Sequence, residues 1–172
     1  LGVLAVTIRK AFAKVIRKIA LAWWCSMSDP AREVANTAKR AFYTTFPADE
    51  SDKQAEVAAF CSVALVRGVA ANLKLKEEDV RDPTDSRKGD TSQRHARLVG
   101  SSIRALSSLL LMANESHVSA LLSGNAQLQD LLSKLVWKHC VSPVETKVLA
   151  CQQPNVCAWI WRHSDSRIVG MV

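Results

Sequence analysis

The chain has 172 residues, of which 48% are hydrophobic, and its formal net charge is +7 at neutral pH. This length is that of one ordinary domain and is enough to bury a hydrophobic core. The basic charge favours an acidic partner, such as RNA, an anionic membrane surface or an acidic protein. The five cysteines are odd in number and unevenly spaced, which argues against a disulfide framework and favours a reducing cytosol. Because the first residue is leucine, we expect a fragment of a longer protein.

The first predicted helix covers about residues 3–27 and could break near Ile19. Its apolar residues share one side of the helix, and these are Leu4, Ile8, Phe12, Val15 and Ile19. Four basic residues lie within about 100° of one another on the other side, and these are Lys10, Lys14, Arg17 and Lys18. This basic set is a candidate for phosphate binding; the alternative is the solvated face of a scaffold helix. Apolar residues precede the basic ones, which is the reverse of a signal peptide, and no uncharged run is long enough to predict a transmembrane helix.

Two adjacent tryptophans, Trp23 and Trp24, lie near the end of this helix. Neighbouring residues on a helix point about 100° apart, so we expect at most one of the two to lie fully in the core. The other could fill the space beside a neighbouring helix pair or contact a partner, because tryptophan is common at interface hot spots.

A second helix is predicted from Asp29 to Phe46. Asp29 is a good N-cap, and Pro30 suits the first helical position, where its missing N–H is not needed. The apolar face is narrow and rich in alanine, so a neighbouring helix can approach closely; its members are Ala31, Val34, Ala35, Ala38, Ala41, Phe42 and Thr45. We expect a second candidate binding set to lie off this face and to be exposed, and its members are Arg32, Lys39 and Arg40.

The remaining sequence predicts more helices. A third helix covers about residues 52–75, a mobile charged loop follows over 76–92, and a fourth helix covers 92–112. The leucine-rich segment 118–136 predicts two short helices, and a capping box at Ser142–Glu145 predicts the start of a sixth.

A helix pair joined by a tight corner cannot bury its apolar stripes alone, and such a pair is the unit of a stacked array. We therefore predict an all-α fold over residues 1–150, made of stacked antiparallel helix pairs of the HEAT or armadillo type (an α-solenoid). Residues 151–172 show no clear period and are predicted to form an irregular tail.

The order of these features resembles the N-terminal region of the listerin family of RING-type E3 ubiquitin ligases. A tryptophan and a cysteine precede a proline-opened, alanine-rich helix that ends in the pattern A-F-x-x-x-F-P at Ala41–Pro47. The resemblance continues at Glu56–Cys61, at Asp82–Pro83 and in the A-L-x-x-L-L pattern within Ser101–Leu111. It extends weakly to Leu131–His139 and to Ser142–Pro143, so the matching positions span residues 20–150.

The resemblance implies a curved array of HEAT- and armadillo-like helices in a cytosolic protein. It implies docking on the stalled large ribosomal subunit and on its quality-control factor, with contact to ribosomal RNA. The RING at the distant C-terminal end would ubiquitinate the nascent chain. This segment would then hold no catalytic group and no zinc, take no small-molecule substrate, bind no membrane and be a monomer.

Two arrangements of reactive side chains offer alternatives to a segment without a catalytic or metal site. The set of residues most similar to a zinc-ligand set has ten, five and five residues between its successive members, which are Cys140, Cys151, Cys157 and His163. Because a RING needs paired C-x2-C spacing, buried or idle thiols are the favoured interpretation. Cys25 with His95 or His117 could form a nucleophile–base pair, but the apolar neighbours of Cys25 favour core packing.

Two other functions stay open on the sequence alone. A basic helical-repeat adaptor could bind protein or RNA without any link to ubiquitin. The amphipathic segment of residues 3–20 could instead bind a membrane surface peripherally.

Overall fold

The structure, a computed structural model, describes residues 9–47, 51–81 and 88–113, together with Lys134. Four α-helices occupy most of these ranges: α1 Arg9–Met27, α2 Arg32–Thr45, α3 Ser51–Lys74 and α4 Lys88–Met112. A short 3-10 helix, Glu77–Val80, lies between α3 and α4. The described ranges contain no strand, which confirms the all-α prediction. The HEAT or armadillo type of the stack stays a prediction.

Helix α1 is the central element of the described fold. It packs against α2, α3 and α4, and α3 also packs against α4. The core lies among these helices, and its largest fully buried side chains are Trp24, Phe42, Leu65, Val66, Val69, Leu73, Ile103, Leu106 and Leu109. Burying one such side chain contributes roughly 1.5–3 kcal/mol. The apolar residues that recur at three- and four-residue steps along α3 and α4 therefore face the core.

Both tryptophans of α1 are buried, so the expectation that at most one would be fully in the core is wrong. Trp23 is 5% exposed and Trp24 is fully covered. Phe42 of α2 contacts both rings edge-on, with centroid distances of 5.6 and 5.2 Å. The reason is that three helices surround α1, so its buried sector is wide enough to include side chains 100° apart. The predicted break near Ile19 is also wrong, because α1 is continuous through that residue.

The corner between α1 and α2 differs from the prediction. Helix α2 begins at Arg32 with Ala31 as its N-cap, not at Asp29. The Asp29 carboxylate instead accepts a hydrogen bond from the Ala31 N–H at 2.8 Å, and this Asx turn over residues 29–31 lies directly before the helix. Arg97 of α4 holds the same carboxylate, so Asp29 joins the corner to α4.

The segment predicted as a charged loop over 76–92 contains helical structure where it is described, and α4 begins at Lys88, four residues before its predicted start. The 3-10 helix packs against α4, and the Ser92 hydroxyl donates to Glu77 Oε1 at 3.1 Å. A ring nitrogen of His95 lies 2.8 Å from the carbonyl oxygen of Leu75. The mobility of the loop stays a prediction, and the helices predicted within 118–136, the capping box at 142–145 and the tail at 151–172 lie outside the described residues.

Within the described ranges, one helix is long and apolar enough, by length and composition alone, to cross a membrane: Asp52–Lys74 within α3. Core helices of soluble proteins pass the same test. This helix packs against α1 and α4 and buries Leu65, Val69 and Leu73 between them. Its composition is therefore accounted for by its central place in the helical core.

Candidate binding surfaces on α1 and α2

Of the basic set of α1, Arg17 lies against α3. The guanidinium carbon of Arg17 is 3.8 Å from the ring centroid of Phe60, and Arg17 Nε donates to the Phe60 carbonyl oxygen at 3.3 Å. Lys18 is exposed. Lys10 and Lys14 belong to α1, but their side chains lie outside the described part. Two members of this set, Arg17 and Lys18, are described and exposed, and the Phe60 ring already packs against the Arg17 guanidinium. Binding by this set stays a prediction.

The basic set of α2 is fully described. Arg32, Lys39 and Arg40 are all exposed, as the periodicity of the helix predicts. Arg32 and Lys39 are seven residues apart, so they share one side of α2 at a rise of about 10.5 Å. Arg40 follows at about 100° around the axis. These three cations give α2 a positive outer face.

An exposed aromatic ring lies within the α2 set. Tyr43 is 44% exposed and follows Lys39 and Arg40 by four and three residues, so it neighbours both on the helix surface. Its ring contacts the buried Phe42 edge-on at 5.7 Å, which supports its position. The sequence reading missed Tyr43, although its distance from the apolar stripe was a signal for exposure. Cations next to an exposed ring can bind both the phosphates and the bases of RNA.

The orientation of α2 is set at its first corner by two arginines of α4. Arg97 Nη2 and Nε donate to the two Asp29 carboxylate oxygens at 2.7 and 3.0 Å. Arg104 Nε donates to the Ser28 carbonyl oxygen at 2.7 Å. Partial burial opposes ionisation of Asp29, but the hydrogen bonds from Arg97 and from the Ala31 N–H outweigh it and lower the pKa of this carboxyl. The corner therefore carries a charged link to α4.

The two described thiols belong to the core. Cys61 is fully buried, and desolvation raises its pKa to about 11. Cys25 Sγ lies 3.8 Å from the Ser102 hydroxyl oxygen, and burial raises its pKa as well. A thiol with a raised pKa is a poor nucleophile at neutral pH.

The structure does not pair Cys25 with His95, since each has another partner among the described residues. His117 lies outside them. The weak zinc set Cys140, Cys151, Cys157 and His163 also lies outside, and within 9–47, 51–81 and 88–113 no three His, Cys, Asp or Glu side chains group as metal ligands.

Comparison with known proteins identifies the family. A model of the N-terminal domain of the E3 ubiquitin-protein ligase listerin matches residues 1–151. This match covers all of the described helices. Neither the curated proteins nor the solved structures contain a significant match to the chain.

Proposed function

Because the chain belongs to the family of the listerin N-terminal domain, we propose that it is a non-catalytic scaffold segment that docks on stalled large ribosomal subunits. In this proposal it positions a listerin-like E3 ligase in cytosolic ribosome-associated quality control. The ubiquitin-transferring RING, with its zinc, belongs to another part of the longer protein. The single observation that carries the proposal is the family match over residues 1–151.

The outer face of α2 is the docking surface that the geometry favours. Its three cations are exposed, and Tyr43 lies among them. Ribosomal RNA presents phosphates to the cations and exposed bases to the ring, and each neutralised phosphate increases the salt dependence of binding. Lys18 and the rest of the α1 set form a second contact. Arg17 contributes less in this proposal, since its guanidinium already stacks on Phe60.

The stack itself is proposed to be of the HEAT or armadillo type. The α1–α2 corner joins two helices, and the next helix pair, α3 and α4, packs against α1. Such an array exposes long helix faces for binding and needs no catalytic group of its own.

Charge reversal on α2 tests the proposal. The full chain is mixed with purified large ribosomal subunits and sedimented at several salt concentrations. A triple variant, Arg32→Glu with Lys39→Glu and Arg40→Glu, is expected to bind at least tenfold more weakly than the original chain. The matched control is Arg67→Glu with Lys74→Glu and Arg81→Glu, because these residues are also exposed and the change in net charge is identical.

The control triple variant is expected to lose less than threefold in affinity. Equal losses for both triples would mean that only net charge matters, and unchanged binding of the α2 triple in a folded protein would remove α2 as the docking surface. A Tyr43→Ala variant separates stacking from charge: we expect a threefold or greater loss with no change in the salt slope.

A further inference from the structure

An open groove of about 710 Å³ lies between α1 and α2. Its walls are largely apolar, with Ile19 and Ala22 on α1 and Val34, Ala38 and Ala41 on α2. Val34 is 40% exposed, although it lies on the face that the sequence predicts to be buried. Among the described helices α2 packs chiefly against α1, so this side of the pair has a concave apolar surface open to solvent.

We propose that this groove binds one amphipathic helix of an acidic partner protein. The alanines on both walls leave room for a third helix to approach the first two closely, since the distance between helix axes depends on the side chains at the contact. A helix also carries its own backbone hydrogen bonds and presents apolar side chains at three- and four-residue steps. The three helices would then share one apolar seam.

The walls disfavour the other common modes of peptide binding. An extended peptide needs a strand edge to pair with, and here both walls are helices whose backbone groups bond within the helix. A polyproline peptide needs an exposed aromatic groove. Trp23 lines the groove but is only 5% exposed, and its Nε1 donates to the Ala38 carbonyl oxygen at 3.1 Å.

The charges at the rim specify an acidic helix. Lys18 precedes Ala22 by four residues and Arg40 follows Thr37 by three, so an exposed cation flanks the groove on each helix. Glu33 is the one acidic side chain in the lining. If a second copy of the chain occupied the groove, its cations would face these cations, and two chains of net charge +7 would repel each other. An acidic partner helix would instead pair with both rims.

The apolar walls of the groove lie on a different face from the ribosome-docking surface, and the two surfaces share only the rim cations Lys18 and Arg40. Arg32 and Lys39 lie about 150° around α2 from Val34. Substitutions in the groove can therefore be made without changing the cationic face, and each proposal can fail without the other.

A designed peptide serves as the probe for the groove. It is an 18-residue, fluorescein-labelled helix with leucine at i, i+3, i+4 and i+7 steps and glutamate on both flanks. One control peptide has the same composition in an order that destroys the stripe, and another keeps the stripe with lysine for glutamate. Fluorescence anisotropy with the full chain is expected to show that the peptide with the leucine stripe and glutamate flanks binds at least tenfold more tightly than either control peptide.

Two matched substitutions place the binding in the groove. Val34→Glu is expected to weaken binding of the acidic peptide at least tenfold, and the neutral Val34→Ser at least threefold. Val63 on α3 is 41% exposed, nearly the same as Val34, so Val63→Glu is expected to change the affinity less than twofold. Val34→Glu should leave co-sedimentation with large ribosomal subunits unchanged.

Three kinds of result would overturn the proposal. The first is a lack of specificity, seen either as equal binding of all three peptides or as equal effects of Val34→Glu and Val63→Glu. The second is a dimer in sedimentation equilibrium that Val34→Glu converts to monomer, which would assign the groove to a second copy. The third is absence of peptide binding together with a Tm loss much larger for Val34→Glu than for Val63→Glu, which would mean that the chain covers its own groove.

Discussion

Arg97 of α4 donates two hydrogen bonds to the Asp29 carboxylate, at 2.7 and 3.0 Å, across 68 positions of sequence. The Arg97 side chain is half exposed, whereas that of Asp29 is only 13% exposed. The same carboxylate accepts the Ala31 N–H. One side chain thus closes the corner before α2 and joins that corner to α4, so it influences how the basic face and the groove of α2 are held.

Removing this carboxylate is expected to destabilise the fold. Asp29→Ala breaks the Asx turn and leaves Arg97 without its partner, so we expect the free energy of unfolding to fall by about 1–2 kcal/mol. Urea denaturation followed by circular dichroism measures this change. Glu56→Ala on the exposed side of α3 is the control, and a loss as large as that of Asp29→Ala would argue against a special role for the corner.

The contribution of Asp29 is expected to depend on pH. Its pKa in the folded chain is below its ordinary value, so the ionised carboxylate stabilises the fold above the unfolded pKa of about 3.9. This stability is lost as the pH falls through the lowered pKa of the folded state. Asp29→Asn keeps an acceptor for the Ala31 N–H but has no charge. The difference in unfolding free energy between the original chain and Asp29→Asn should be largest near pH 7 and shrink below about pH 4; a constant difference would contradict this assignment.

Two phenylalanines offer a matched test of the core. Phe42 is fully buried between both tryptophans, and Phe60 is 44% exposed. Phe42→Leu removes the edge-on contacts with both tryptophans and with Tyr43 and the tilted contact with Phe46. Aromatic pairs of this kind are worth about 0.5–1.5 kcal/mol each, and the smaller side chain also leaves unfilled volume. We expect a loss of about 2–3 kcal/mol in urea denaturation for Phe42→Leu and less than about 1 kcal/mol for Phe60→Leu. Similar losses at both positions would show that α2 is not anchored by Phe42.

Cys61 is expected to resist alkylation in the native chain. It is fully buried and its pKa is raised to about 11, so neither access nor ionisation favours reaction at neutral pH. Iodoacetamide treatment followed by peptide mass spectrometry should show modification at least one hundredfold slower than in concentrated urea. Rapid native modification would mean that the α1–α3 interface opens readily.

The α1–α3 interface also explains why local sequence reading was successful for α3 and incomplete for α1. The stripe of α3 repeats at three- and four-residue steps, so Leu65, Val69 and Leu73 could be assigned to the core from spacing alone. All three are buried. Leu21 of α1 lies so close to Gly68 of α3 that an added Cβ would be 2.6 Å from Leu21 Cδ2. The spacing of apolar residues within α1 cannot predict such a contact between helices.

The candidate site was predictable only in part for the same reason. Exposure of Arg32, Lys39 and Arg40 follows from their positions on one helix, and the structure agrees. That Arg17 stacks on Phe60 depends on a contact across 43 positions, and no pattern within α1 indicates it.

The sequence by itself determined that the described chain is helical, where α3 lies, where α4 ends and which face of α2 carries charge. These features depend on backbone hydrogen bonds and side-chain spacing within a few residues. Only the tertiary structure decided that both tryptophans are buried, that Asp29 serves α4 as well as the corner, and that α1 and α2 leave an apolar groove between them. Those outcomes depend on which helices pack together, and packing joins residues that are far apart along the chain.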